Sequence, residues 1–326
     1  MVKFLFVNTR PAQCSIYKSG VQVFDVLDNS PYWNIDYCEI QELDRDALDR
    51  GEIMIEGLLI DKYDAYIFNY HDITMRGIEK LDSRVLQKLP GPIFSIILEM
   101  TKDNPLPRLF SDDFNGYLVM DPTMRYRDPR FIAFPRPLKY FSKVEYVDTG
   151  RPIIGSFGFP TQDKAFDRIV DAANAEFDSA LIRLNIPRAT YADPEDRAFN
   201  EIVELCRLKA KPGIDIEVTR EFFSDNELVD WCAKNTINVF LYNRNMPGLA
   251  AVTDQAVASG RPLAISDNTT FRHVHAYLQA YPEQTLTQSI ENSQAAVLEM
   301  QCAWSPEACQ KKLYDVLFPE DANDQD

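Results

Sequence analysis

The sequence predicts an α/β fold built in two successive halves, and three observations carry that expectation. Short continuous apolar runs, such as residues 65–70 (AYIFNY), 92–100 (PIFSIILEM) and 237–241 (INVFL), have the composition of strands buried on both faces of a parallel sheet. Segments with apolar residues at helical spacing alternate with them. The alternation pauses at the Pro-containing stretch 131–138 (FIAFPRPL) and restarts at 152–159 (PIIGSFGF), so a hinge is expected up to about Gly150. A chain of 326 residues is long for one domain, and two domains of roughly 150 residues each are the natural arrangement.

Taken in order, residues 2–7 read as a buried first strand. A polar loop over 8–20 follows, and Val21, Val23, Phe24 and Leu27 then take up helical spacing. Ser15, Lys18, Ser19 and Gly20 lie near the start of that helix, where small side chains and amides admit a ligand. Alternation over 33–40 predicts a second strand. The strand at 65–70 delivers Asn69, Tyr70 and His71 to its C-terminal end, the edge at which open α/β sheets bind ligands. The strands at 92–100 and 116–121 end in Glu99 and Asp121, each a candidate general base or hydroxyl anchor. In the second half, Gly155 and Gly158 fall where a strand passes into a loop, and Lys164 opens a helix expected over 163–177. A strand at 180–186, a helix at 194–208 and a strand at 214–219 come next. Ser224 and Glu227 form a capping box that starts the following helix.

The stretch 243–275 changes period most often. It reads as strand end, Gly-containing loop, helix, Gly turn, strand and helix, and its loop opens onto a helix N-terminus with unpaired N–H groups suited to a phosphate or diphosphate. Beyond it, apolar spacing predicts helices to about residue 318 and a disordered acidic tail over 319–326.

A net charge of −16, from 50 acids against 34 bases, argues against a non-specific grip on nucleic acid. Six scattered cysteines with no Cys-x-x-Cys pair make a structural metal site unexpected; Cys302 and Cys309 have a spacing that permits a bridge, but buried thiols are the expectation. No run is long enough for a membrane helix or a secretory signal, which points to the cytoplasm.

The run SFGF with Lys164, then SDNELVDW, INVFLYN, a Gly loop, DQAVASGRPLAIS and FRH, resembles the donor half of GT-B glycosyltransferases of the family 4 type. CSIYKSG and NYH in the first half resemble the acceptor-side loop and the strand end with a sugar-contacting histidine. The resemblance implies two Rossmann-like domains facing each other across a cleft: residues 1–148 on the acceptor side, 149–280 on the donor side, helices over 281–318 and the tail. It implies a metal-independent, retaining transferase with no cofactor beyond its donor, a UDP- or GDP-linked sugar, and a sugar or other small acceptor. The diphosphate is then expected on the amides of Gly248, Leu249 and Ala250 beside Gly158, with Lys164 neutralising it and Asp254 or Gln255 at the ribose. Ser15 and Gly20 border the ligand. His71 is expected at the donor sugar and Glu99 on the acceptor side. Two acids of the family pattern are replaced, by Pro247 and Gln255 counting back from Gly260, and no basic residue stands at 159–162. A GT-B-shaped nucleotide-sugar epimerase and a catalytically degenerate binding module are the alternatives.

Overall fold

The computed structural model describes residues 2–9, 15–40, 63–69, 89–98, 114–189, 193–244 and 248–318. The chain forms two compact units, one of residues 1–139 with 304–326, the other of residues 140–303.

The first unit holds a six-stranded sheet, every pair of it parallel. Its strands are β1 (Val2–Thr9), β2 (Trp33–Ile40), β3 (Ala65–Phe68), β4 (Ile93–Ile97), β5 (Gly116–Val119) and β6 (Phe131–Ala133), in the order β2-β1-β3-β4-β5-β6. The strand period of two sends alternate side chains to opposite faces. Phe4 and Phe6 therefore join one apolar cluster, while Leu5 and Val7 join another on the far side. Helix α1 (Ser15–Leu27) covers the first of these faces with Val23, Val26 and Leu27.

The second unit holds five parallel strands, β7 (Ile153–Phe157), β8 (Ala180–Asn185), β9 (Ile214–Thr219), β10 (Ile237–Phe240) and β11 (Leu263–Ile265), in the order β11-β10-β7-β8-β9. Helices α2 (Phe166–Glu176) and α3 (Arg197–Lys209) bury Ile169, Val170, Ile202 and Cys206 against Ile154, Ile182 and Val239. On the opposite face, Trp231 of α4 (Asp225–Ala233) meets Phe157 edge-on at 6.3 Å. The remaining α-helices among the described residues are α5 (Val252–Ala258), α6 (Arg272–His275), α7 (Leu286–Asn292), α8 (Gln294–Ala303) and α9 (Pro306–Leu317). Helix α9 belongs to the first unit, where Cys309 and Leu313 complete the cluster around Phe4 and Val23.

The chain leaves β7 toward β8 and β9, then returns to place β10 and β11 on the other side. Strand order thus reverses between β7 and β10. Crossovers on the two sides leave in opposite directions there, so the carboxyl ends of those two strands open a crevice, the position at which α/β sheets of this kind take ligands. In the first unit the same reversal lies between β1 and β3.

Three local structures differ from the sequence reading. Helix α1 begins at Ser15, so Ser15 to Gly20 are helical rather than loop. Lys164 does not lie on an α-helix: it ends a 3-10 turn, Gln162–Lys164, and Ala165 at φ 47° and ψ 50° separates that turn from α2. A left-handed residue cannot propagate the helical hydrogen-bond ladder, so two short elements replace the single expected helix. Finally, α5 is only seven residues long, and Gly248, Leu249 and Ala250 stand outside it. The cysteines Cys302 and Cys309 are both free, the first exposed and the second buried, and burial pushes the Cys309 thiol up to about 12.

Candidate functional site

At the switch point of the second unit, β7 gives way to Gly158, whose amide donates to the Asn185 carbonyl at 3.0 Å. Its φ of +144° suits glycine alone, and a Cβ there would lie 2.7 Å from Lys164 Cε and 2.9 Å from Nζ. The Lys164 side chain therefore lies directly over the Gly158 backbone. It reaches to the end of the neighbouring strand, where its Nζ donates to Tyr242 Oη at 2.9 Å and sits 4.5 Å from the ring centroid. One cation thus bridges the carboxyl ends of β7 and β10.

Tyr242 is a fixed partner. It is 2% exposed, its ring packs on Phe271 with centroids 5.1 Å apart, and its carbonyl accepts from Ser266 Oγ and Asn268 Nδ2 at 2.9 and 3.1 Å. Arg168, in the first turn of α2, donates to the carbonyls of Leu241 at 3.1 Å and Tyr242 at 3.3 Å. The next residues reach back to the 3-10 turn. The Asn243 amide donates to the Asp163 carbonyl at 2.8 Å, and Arg244 Nη1 pairs with Asp163 Oδ2 at 3.1 Å. Burial opposes the Asp163 charge, but the Thr161 hydroxyl, Arg244 and Lys164 together hold its carboxyl below the usual range.

The loop before α5 is pinned by Thr253 of α5 and by Thr270, which follows β11. Thr270 Oγ1 donates to the Gly248 carbonyl at 2.7 Å, and the Ala250 amide donates to the Thr270 carbonyl at 3.1 Å. Thr253 Oγ1 donates to the Ala250 carbonyl and lies 2.8 Å from His273 Nε2, all of it buried. The Ala250 amide, expected at a phosphate, donates to Thr270 in this arrangement. Leu249 is half-buried in the same loop, Asp254 is buried and Gln255 half-buried on α5.

In the first unit, Ser15 is the first residue of α1. Gly20 is buried in that helix against the amides of Asn8 and Asn69; a Cβ would fall 2.3 Å from Asn69 Nδ2 and 2.4 Å from Asn8 Oδ1. The two asparagines bond each other at 2.7 Å and reach Ile16 and Tyr17 carbonyls of α1. Gly20 thus allows the close seating of α1 on the sheet. His71 and Glu99 lie outside the described residues. Tyr242 and Arg244 were missed in the sequence because an aromatic at a strand end reads as core, and an arginine between two asparagines reads as surface. Among the described residues, no group of three or more His, Cys, Asp or Glu could hold a metal ion, and no helix is long and apolar enough to cross a membrane.

No protein-family model matches the chain, and no curated protein matches it in sequence. Solved structures share its fold over nearly the whole length. Anabaena Alr3699/HepE in complex with UDP aligns with 97% of this chain and 99% of its own, at a TM-score of 0.62 and 10% identity. The lipopolysaccharide outer core galactosyltransferase WaaB aligns over 98% and 100%, with a TM-score of 0.59 and 10% identity. An α-glucosyltransferase (AGT) in complex with UDP aligns over 97% and 99%, with a TM-score of 0.55 and 12% identity. The chain has the GT-B fold, with one parallel-sheet domain in each unit.

Proposed function

We propose that the protein is a glycosyltransferase that takes a sugar from a nucleotide-diphosphate donor bound by the second unit. The observation that carries the reading is Lys164, laid over Gly158 and bonded to Tyr242 at the switch point between β7 and β10. A glycosyl transfer breaks the bond between the anomeric carbon and the diphosphate, and negative charge grows on the departing phosphate oxygen. A fixed cation at that oxygen lowers the barrier because its attraction increases as the charge develops. Gly158 and the loop of Gly248, Leu249 and Ala250 are assigned to the diphosphate, and Gln255 or Asp254 to the ribose. His71 is assigned to the donor sugar and Glu99 to the acceptor side. Neighbours of this fold solved with UDP or UDP-glucose favour a uridine donor. Retention of anomeric configuration, independence from a metal, and recognition of a sugar or other small acceptor by the first unit complete the proposal.

Thermal unfolding in the presence of UDP, GDP, UDP-glucose and a GDP-sugar tests it. A ligand that binds only the native state raises the apparent stability. Lys164→Ala is expected to weaken the stabilising nucleotide by roughly 1.5 to 3 kcal/mol, the range for a charge-assisted contact. Unchanged affinity removes Lys164 from the site. A binding module is the second reading, favoured by the two replaced acids at Pro247 and Gln255; saturable UDP binding with neither transfer nor donor hydrolysis would select it.

A further inference from the structure

Two successive residues of the 3-10 turn reach the same short segment beyond β10 by different routes. Lys164 bonds the Tyr242 hydroxyl, while Asp163 takes both the Asn243 amide through its carbonyl and the Arg244 guanidinium through its carboxylate. The segment that fixes the first cation therefore also presents a second.

The cations here are not equally committed. Arg168 spends its contacts on the Leu241 and Tyr242 carbonyls. Arg244 is held by a single carboxylate oxygen at 3.1 Å, its side chain is 34% exposed, and its Nε is buried with no hydrogen-bond acceptor among the described residues. A guanidinium carries five donors in a planar fork that matches two oxygens of one phosphate group. A diphosphate carries at least two negative charges, and Lys164 supplies one positive charge to meet them. The loop 159–162 (FPTQ) supplies none.

We infer that Arg244 is the second diphosphate ligand of the proposed donor site, and that Asp163 is the counter-anion it leaves when a nucleotide diphosphate arrives. The inference rests on the donor-site reading above. Its chemistry is an exchange of ion pairs: the guanidinium turns from one carboxylate oxygen to two phosphate oxygens, and the fork's unspent donors gain acceptors. Asp163 competes with the ligand for the same cation, so its negative charge lowers affinity.

Calorimetric titration of the full chain with UDP, GDP and UMP tests this, with Lys164→Met, Arg244→Gln, Arg244→Lys and Asp163→Asn. Arg244→Gln should weaken the better of UDP and GDP at least tenfold. For a uridine site it should weaken UMP by less. Arg244→Lys should recover only part of the loss, because an ammonium offers no planar fork. Asp163→Asn should bind the diphosphate at least twofold more tightly than the native chain, which gives a readout even where Arg244→Gln impairs folding. An Arg244→Gln affinity within twofold of native, or an Asp163→Asn affinity equal to or weaker than native, overturns the inference. If Lys164→Met alone weakens binding, the donor site stands and Arg244 is structural. If the native chain binds none of the three nucleotides, the donor-site reading falls and this inference with it.

Discussion

At the residue scale, Gly158 and Lys164 act as one device. Gly158→Ala puts a methyl where the lysine stem lies and forces a positive φ on an L residue. Strain of this kind costs about 1 to 3 kcal/mol, so the variant should unfold at lower denaturant concentration by that amount, with nucleotide binding weakened further as Nζ leaves Tyr242. A variant with native stability and native binding would show that the lysine stem moves aside without consequence. The two residues were legible in the sequence, since a glycine at a strand end and a following cation are chemical signals in their own right. Their partner was not. Tyr242 is distinguished only by the carbonyl bonds and the tilted contact with the Phe271 ring that hold it still, and those depend on residues more than twenty positions away. Gly20 shows the converse: a glycine packed closely on Asn8 and Asn69 has the same sequence appearance as one that borders a ligand.

At the element scale, strands were easier to read than helix starts. The β2 bounds and the β9 bounds coincide with the apolar and alternating runs, because a strand in a parallel sheet is defined by its own composition on both faces. A helix start is decided by which residue satisfies the first amides. Where a cap is written into the sequence the start is clear: Ser224 Oγ accepts from the Glu227 amide, and the Glu227 carboxylate accepts from both the Ser224 amide and hydroxyl. Where it is not, as at α2, Ala165 takes the N-cap position in a left-handed conformation that no propensity foretells. Ser224→Ala should cost about 1 kcal/mol, read from the midpoint of chemical unfolding. The cap is also sensitive to acid. Hydrogen bonds from the Ser224 side chain and then its amide hold the Glu227 carboxyl below its usual range. A depressed carboxylate contributes stability above its unfolded value, about 4.3, and loses it as pH falls through the lower folded value. Glu227→Gln should therefore reduce the loss of stability below pH 4.3. An acid limb identical to the native one would assign no linked proton to this cap.

At the scale of the whole molecule, the chain order and the folding units differ in one respect: the segment beginning at Trp304 returns to the first unit. Apolar spacing predicts helices to about residue 318, but periodicity names a face and not the surface that covers it. Ending the chain after Ala303 removes Trp304, Cys309 and Leu313, all fully buried, together with the Trp304 carbonyl that accepts from Leu138 and the Gln310 amide that donates to the Val26 carbonyl at 2.9 Å. Burial of one large apolar side chain is worth about 1.5 to 3 kcal/mol, so losing Leu313 alone from the cluster around Phe4 removes a sizeable part of a usual domain stability of about 5 to 15 kcal/mol. The apolar cluster of the second unit around Ile154 loses no member, because it is drawn from residues between Ile154 and Ile290. The truncated protein should therefore melt in two steps, with an early transition absent from the full chain and a later one still raised by the nucleotide that stabilises the native protein. A single transition at the native temperature would refute the placement of α9 against α1, and a later transition insensitive to the nucleotide would show that the second unit does not hold the donor unaided.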